Sequence, residues 1–250
     1  MTVESRALLA GPGAVRALRA GGTGRLEVAL GAGGYVRLGA DGWLLLTGPR
    51  TALGPLSLLV AGLASEPLHA DFRDAWVGPQ VLVVGPRRID LSAMRIADVD
   101  AWPSPAPGAG EALAAAAAGA PCPPAPLLVG LRALERAELP RAVRVLAGRG
   151  EGLTPAGDDV LAGYAGWTAA TGEPVDLSAL AVGRSSPIGL AYLRCAERGE
   201  LTAAAAAVIA AALDGDREAV GRRARELRRW GSSSGSAMLW GLAAAASADG

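Results

Sequence analysis

The sequence predicts an α+β protein: a β-rich N-terminal half, residues 1–104, built as an antiparallel barrel or meander and packed against an α-helical C-terminal half, residues 105–250. Three observations predict it. Before about residue 105, short apolar runs are split by glycine and proline turns, the punctuation of strands. Beyond residue 127 the apolar residues recur at helical spacing. Between them lies AWPSPAPGAG at 101–110, where alternating prolines remove backbone donors and fix an extended course.

The strands are expected at 25–30, 35–39, 43–48, 56–62 and 80–85. Leu26, Val28 and Leu30 alternate with Glu27 and Ala29, the pattern of a half-buried strand. Residues 31–34 form a glycine-rich loop that tolerates positive φ, and Asp41-Gly42 signals a tight hairpin turn. Arg25 to Leu46 thus reads as an antiparallel meander. In the second half, an alanine-rich segment between two proline clusters suits one short helix. Further helices are expected from 127 to about Leu139, then at 140–147, 155–171, 186–198, 200–213, 216–230 and 235–247. No internal repeat is visible.

Composition narrows the function classes. Hydrophobic residues make up 51% of the 250 and charged residues 19%, so a buried core is well supplied. Phe occurs once, so that core rests on Ala, Leu and Val, with Trp43, Trp76, Trp102, Trp167, Trp230 and Trp240 as the large exceptions. The 24 basic residues balance the 24 acidic ones, which leaves no global field for nucleic acid or an anionic membrane. Cys122 and Cys195 are too few for a disulfide framework, and no signal peptide or membrane span is evident. A soluble cytoplasmic protein is the expectation, with an oligomer open.

Chemistry concentrates in residues 148–166, GRGEGLTPAGDDVLAGYAG. Thr154 is placed to cap a helix whose first residue is Pro155. Asp158 and Asp159 fall in its first turns, where the helix dipole favours negative charge. A cap, a proline and early acids are ordinary; the glycine density is not. Gly157 alone costs up to about 1 kcal/mol against alanine, and Gly163 and Gly166 add to it. Either close packing holds such a helix, or its start is left bare for a ligand. On the ligand reading, the amides of Gly150, Gly152, Leu153, Thr154 and Gly157 form a concave anion site. Asp158 and Asp159 then serve as catalytic groups: a general base, a partner for an amide N–H, or Mg²⁺ ligands if that metal is used. One of the two aspartates can instead brace the loop. No Lys follows these glycines and no strand leads into them, which argues against both common nucleotide-binding patterns.

Two further segments join it. Ser185 or Ser186 can cap a helix begun by Pro187, and Arg184 with Ser185 can contact an anion. In WGSSSGSAMLWGL at 230–242, Ser233, Ser234 and Gly235 make a second glycine-serine helix start, so a shared cleft is expected. His69, the only histidine, lies among Glu66, Asp71, Arg73 and Asp74 and is expected to be a surface residue. Cys195 is expected to be a buried small hydrophobe. The arginine run from Arg222 to Arg229 surrounds an apolar stripe of Val220, Ala224 and Leu227, an amphipathic helix with a charged outer face suited to a partner subunit.

At these helix starts the sequence resembles the DUF2877 family, whose members include a small subunit associated with bacterial oxamate carbamoyltransferase of allantoin breakdown. The family signature Gly-Leu-Thr-Pro-Ser-Gly-Asp-Asp matches Gly152, Leu153, Thr154, Pro155, Gly157, Asp158 and Asp159, with Ala156 in place of its serine. The family's Gly-His-Thr-Ser-Gly stretch aligns with residues 231–235, where Ser232 stands in place of the histidine. The resemblance implies carbamoyl transfer involving carbamoyl phosphate and a small carboxylate amide such as oxamate, in a complex with larger acyl-CoA-synthetase-like subunits. Two other readings stand beside it: a non-catalytic anion-binding or assembly subunit, and a Mg²⁺-dependent hydrolase of a small phosphate ester or amide.

Overall fold

The computed structural model describes residues 3–31, 33–63, 68, 73–98 and 102–248. The chain divides into two units, Met1–Val99 and Asp100–Gly250, each with its own hydrophobic core. His69, Glu66 and Asp71 lie outside the described residues.

The first unit contains β1 (Val3–Ala10), α1 (Pro12–Ala20), β2 (Gly22–Leu30), β3 (Gly33–Leu38), β4 (Gly42–Thr47), β5 (Ser57–Ala61), β6 (Asp74–Gly78), β7 (Val81–Val84), β8 (Arg87–Asp90) and β9 (Arg95–Ile96). Their order is β5-β4-β3-β2-β6-β7-β8-β1, and a β1–β5 pairing closes an eight-stranded barrel; β9 adds to β1 beyond β8. Closure leaves those eight strands no free edge. The barrel is not wholly antiparallel, as β1 runs parallel to β8, and β4 parallel to β5. One strand, β1, lies between β5 and β8 and must run with one and against the other. Leu26, Val36, Leu44, Leu46, Leu58, Val60, Leu82 and Ile89 fill the core, joined by Ala14, Val15, Ala17 and Leu18 from α1.

Two local expectations in the meander need correction. Only Leu26 of the alternating set is buried; Val28 is half-buried and Leu30 is 45% exposed. A register shift between Leu26 and Val28 is the reason: an irregularity there breaks the strict period of two. In the next hairpin Gly42 already pairs with Leu38 as part of β4, and it is Gly39, at φ +58°, that turns the chain.

The second unit is helical: α2 (Ala109–Ala118), α3 (Ala125–Leu134), α4 (Leu139–Leu146), α5 (Ala156–Ala170), α6 (Leu177–Ala181), α7 (Pro187–Ala196), α8 (Ala203–Leu213), α9 (Arg217–Leu227) and α10 (Ser234–Ala248). In α9, Val220, Ala224 and Leu227 are buried, and exposed arginines pair with neighbouring acids: Arg222 with Glu218, Arg223 with Glu226. By contrast, α5 is buried almost all round, with thirteen of its fifteen residues enclosed. A helix buried on every side sits inside its unit. Its main partner is α10, and glycine makes their approach possible. A Cβ on Gly163 would lie 2.1 Å from the Met238 carbonyl oxygen, and one on Gly241 would lie 2.0 Å from that of Val160. The roughly 1 kcal/mol that each helical glycine costs is offset by this backbone-to-backbone packing. Among the described residues, no helix is long and apolar enough to cross a membrane.

Candidate functional site

The start of α5 is built differently from the sequence expectation. Thr154 is not the cap, and Pro155 is not the first helical residue. Pro155, at φ −54° and ψ 146°, is itself the cap position, and no side chain caps the helix. Backbone carbonyls do that work. The Gly157 amide donates to the Arg149 carbonyl at 2.8 Å, and those of Asp158 and Asp159 to Pro155 at 2.8 and 3.2 Å. Gly157 must be glycine, since a Cβ there would sit 2.0 Å from the carbonyl oxygen of Leu146, the last residue of α4. The Gly157 amide is therefore engaged and is corrected out of the expected free-amide set.

Asp158 is the brace. The Gly148 amide donates to its Oδ1 at 2.8 Å, and the Ser185 hydroxyl donates to its Oδ2 at 2.5 Å. Ser186 caps α7, accepting from the Gly189 amide at 2.9 Å while donating to the Leu153 carbonyl at 2.8 Å. Two hydrogen bonds thus tie residues 148–158 to the start of α7. The fit excludes side chains: a Cβ on Gly189 would lie 2.4 Å from Asp158 Oδ2, and one on Gly148 would lie 2.2 Å from the Arg184 carbonyl oxygen. Burial raises the Asp158 pKa above its ordinary value, and the bonds from Gly148 and Ser185 pull it partly back.

Asp159 is provided for on one side only, by Ser234. It is 8% exposed, and among the described residues its Oδ2 has no hydrogen-bond partner. Burial pushes its pKa up to about 7; a hydrogen bond from Ser234 lowers it, and the neighbouring Asp158 charge raises it. Ser234 is the first residue of α10, so Asp159 links the α5 and α10 starts. A carboxyl group that titrates near neutrality can give or take a proton at little cost, which a surface aspartate cannot do.

The other expected site residues divide into two groups. Asp158, Asp159, Ser185 and Ser234 are brought together. At the α10 start, the Gly235 amide donates to the Trp230 carbonyl at 3.0 Å, so it too is engaged. Gly150 and Gly152 adopt φ +120° and +91°, and among the described residues the amides of 150–154 donate to no backbone carbonyl. Leu153, Arg184 and Ser233 are exposed. Sequence reasoning missed the Arg149 carbonyl and Gly189, because both act through backbone contacts that span a loop or two helices. The Mg²⁺ reading is narrowed: both Asp158 oxygens already accept hydrogen bonds, and among the described residues no cluster of three or more His, Cys, Asp or Glu is placed to hold a metal ion.

The geometry defines a helical unit in which two buried aspartates join three helix starts. Residues 146–246, a stretch that contains all three starts, match the family model described as oxamate carbamoyltransferase subunit AllH. The chain is thus similar, over part of its length, to a subunit of a carbamoyltransferase. No curated protein and no solved structure matches it.

Proposed function

We infer that the helical unit acts in carbamoyl transfer, as an enzyme subunit that binds carbamoyl phosphate and a small carboxylate amide such as oxamate. One observation carries this reading: Asp159 Oδ2 is buried at the junction of helix starts without a partner. An unsatisfied buried acceptor costs on the order of 1–3 kcal/mol, which an N–H group of a ligand recovers. The family description over residues 146–246 supplies the class of reaction.

In the proposed step the amide nitrogen of the acceptor attacks the carbamoyl carbon. A C–N bond forms, the C–O bond to phosphate breaks, and phosphate departs with the electron pair. Ionised Asp159 takes the proton that the nitrogen loses, and its pKa of about 7 suits that exchange. The unengaged amides of 150–154, Arg184 and Ser233 hold the phosphate or carboxylate oxygens, and Ser185 acts through Asp158. Because Asp159 is nine-tenths buried, the exposed segments 150–153 and 231–233 move aside to admit substrate. The larger partner subunits complete the site.

The test is phosphate release from carbamoyl phosphate in the presence of oxamate, with and without those partners. Asp159→Asn should lower oxamate-dependent turnover at least 100-fold while its circular dichroism stays that of the wild type. Unchanged turnover in Asp159→Asn removes Asp159 from the chemistry. The same burial favours a second reading, a non-catalytic anion-binding subunit. That reading predicts phosphate binding by calorimetry with no turnover in any combination of subunits.

A further inference from the structure

A recess of about 740 Å³ lies in the barrel unit, where β2 and β4 end, β3 begins and the turn at 48–51 follows. The segment LLLTGPRT, residues 44–51, builds its polar side. Leu44 and Leu46 belong to the barrel core, so Leu45 and Thr47 lie on the other face of β4, and both line the recess. After Thr47 the chain turns: the Thr51 amide donates to the Gly48 carbonyl at 3.1 Å, which puts Pro49 and Arg50 at the two corners. Proline fixes φ at the first corner and so holds Arg50 at the second. Two polar groups in this wall lack partners. Thr47 is 9% exposed; among the described residues its hydroxyl makes no hydrogen bond, yet it is not sealed from solvent. Arg50 is exposed and pairs with no acid among the described residues.

We propose that this recess binds a small monocarboxylate with a hydrocarbon body. The Arg50 guanidinium takes the carboxylate, the Thr47 hydroxyl donates to one of its oxygens, and the hydrocarbon lies against Leu45 and the 45%-exposed Leu30. The volume falls in the range of small-ligand sites, which favour barrel mouths and combine apolar walls with a few placed polar groups. The planar guanidinium matches a carboxylate with two parallel hydrogen bonds. Arg50 is the one charged residue in the described wall, so the recess offers a single positive charge. That suits a monoanion; a phosphate dianion would keep one charge uncompensated against leucine walls. Burial of Leu30 and of the Thr47 hydroxyl against the ligand supplies the rest.

Gly48 gives a way to close the recess without touching Arg50. It lines the recess, and a Cβ there would meet nothing within 4 Å. The experiment is calorimetry on the full chain at neutral pH with hexanoate, its neutral analogue hexanamide, and inorganic phosphate. Hexanoate should bind about tenfold more tightly than hexanamide, as a charge-assisted hydrogen bond predicts, and phosphate should not compete with it. Arg50→Gln should remove that preference. Gly48→Leu should weaken both organic probes at least tenfold. Absence of hexanoate binding, equal affinity for hexanoate and hexanamide, competition by phosphate, or hexanoate binding unchanged in either variant would overturn the proposal. A carboxylate bound at the helix starts of the other unit ignores both substitutions, which keeps this site distinct from the proposed transfer. Should Gly48→Leu fail to fold, the two probes on the wild type and on Arg50→Gln decide, because Arg50 is exposed and its replacement leaves the core untouched.

Discussion

The starts of α5 and α10 use one backbone device twice, with different polar contents. Each has glycine as its second helical residue, Gly157 and Gly235, pressed against the last carbonyl of the preceding helix, Leu146 and Leu227. In each, that glycine's amide turns back to a loop carbonyl, Arg149 or Trp230. Six residues on, Gly163 and Gly241 meet reciprocally: Gly163 faces the Met238 carbonyl oxygen and Leu242 nitrogen, and Gly241 faces the Val160 carbonyl oxygen and Tyr164 nitrogen. These contacts relate the two helices as equivalent halves. Where α5 then carries Asp158 and Asp159, α10 carries Ser236 and Ala237. The comparison teaches which feature asks for a ligand. Close packing accounts for the glycines in both halves, and bracing accounts for Asp158. Only the unpartnered oxygen of Asp159 remains.

The largest expected effect breaks the shared device. Gly241→Ala places a Cβ 2.0 Å from the Val160 carbonyl oxygen, against backbone that cannot rotate away. The helices must separate along the whole seam, at a loss of about 4–5 kcal/mol. Urea unfolding should show a collapsed midpoint or no cooperative transition. Gly163→Ala should cost a similar amount, and the double variant should cost clearly less than the sum, because one separation relieves both clashes. Additive losses would mean that the two contacts are independent.

Removing the asymmetry should stabilise. The folded pKa of Asp159, about 7, lies above its ordinary value of 3.8, so the folded chain holds this proton more tightly. The associated stability is fully present below about pH 4 and is lost as pH rises through 7. Asp159→Asn cannot ionise. It should match the wild type near pH 4 and exceed it near pH 8 by on the order of 3 kcal/mol. Stability curves that run parallel from pH 4 to 8 would show that Asp159 is solvated. Asp158 should behave in the opposite sense. Asp158→Ala strands the Gly148 amide and the Ser185 hydroxyl and should cost about 2–3 kcal/mol. Asp158→Asn can still accept from Gly148 and donate to Ser185, so it should cost under about 1 kcal/mol, read by the same unfolding curves.

The parts of this arrangement that were legible in the sequence are those with a local signal. The α5 and α10 helices, a serine cap at Ser185 or Ser186, of which the fold uses Ser186, and the apolar stripe of α9 follow from periodicity and end residues. The GLTPAGDD segment stood out by glycine density, and two explanations for it, packing and ligand binding, could not be separated without knowing that Met238 lies opposite Gly163. Thr154 was misread as the cap because Thr-Pro has that local signature, while the true arrangement depends on the Arg149 carbonyl across the loop. In the barrel, β1 and β8 were missed because their charged residues, such as Glu4, Arg6 and Arg88, break the apolar pattern. Their pairing is parallel and spans most of the unit, so nothing nearby in sequence reports it.

The smallest effect separates the two loops rather than the two helices. Gly152 has φ +91° with nothing within 4 Å of where a Cβ would lie, while Gly231 has φ +62° with the Ser234 hydroxyl 3.3 Å from that point. Alanine at either position pays for its positive φ, roughly 1 kcal/mol. Only at Gly231 does the new methyl also press on the hydroxyl that serves Asp159. Gly152→Ala should therefore lower stability by the same amount at every pH. Gly231→Ala should add a pH-dependent part, with a larger deficit at pH 8, where ionised Asp159 relies on Ser234, than at pH 4. Identical pH profiles for the two variants would place Ser234 outside the electrostatics of Asp159 and reduce the α10 start to packing alone.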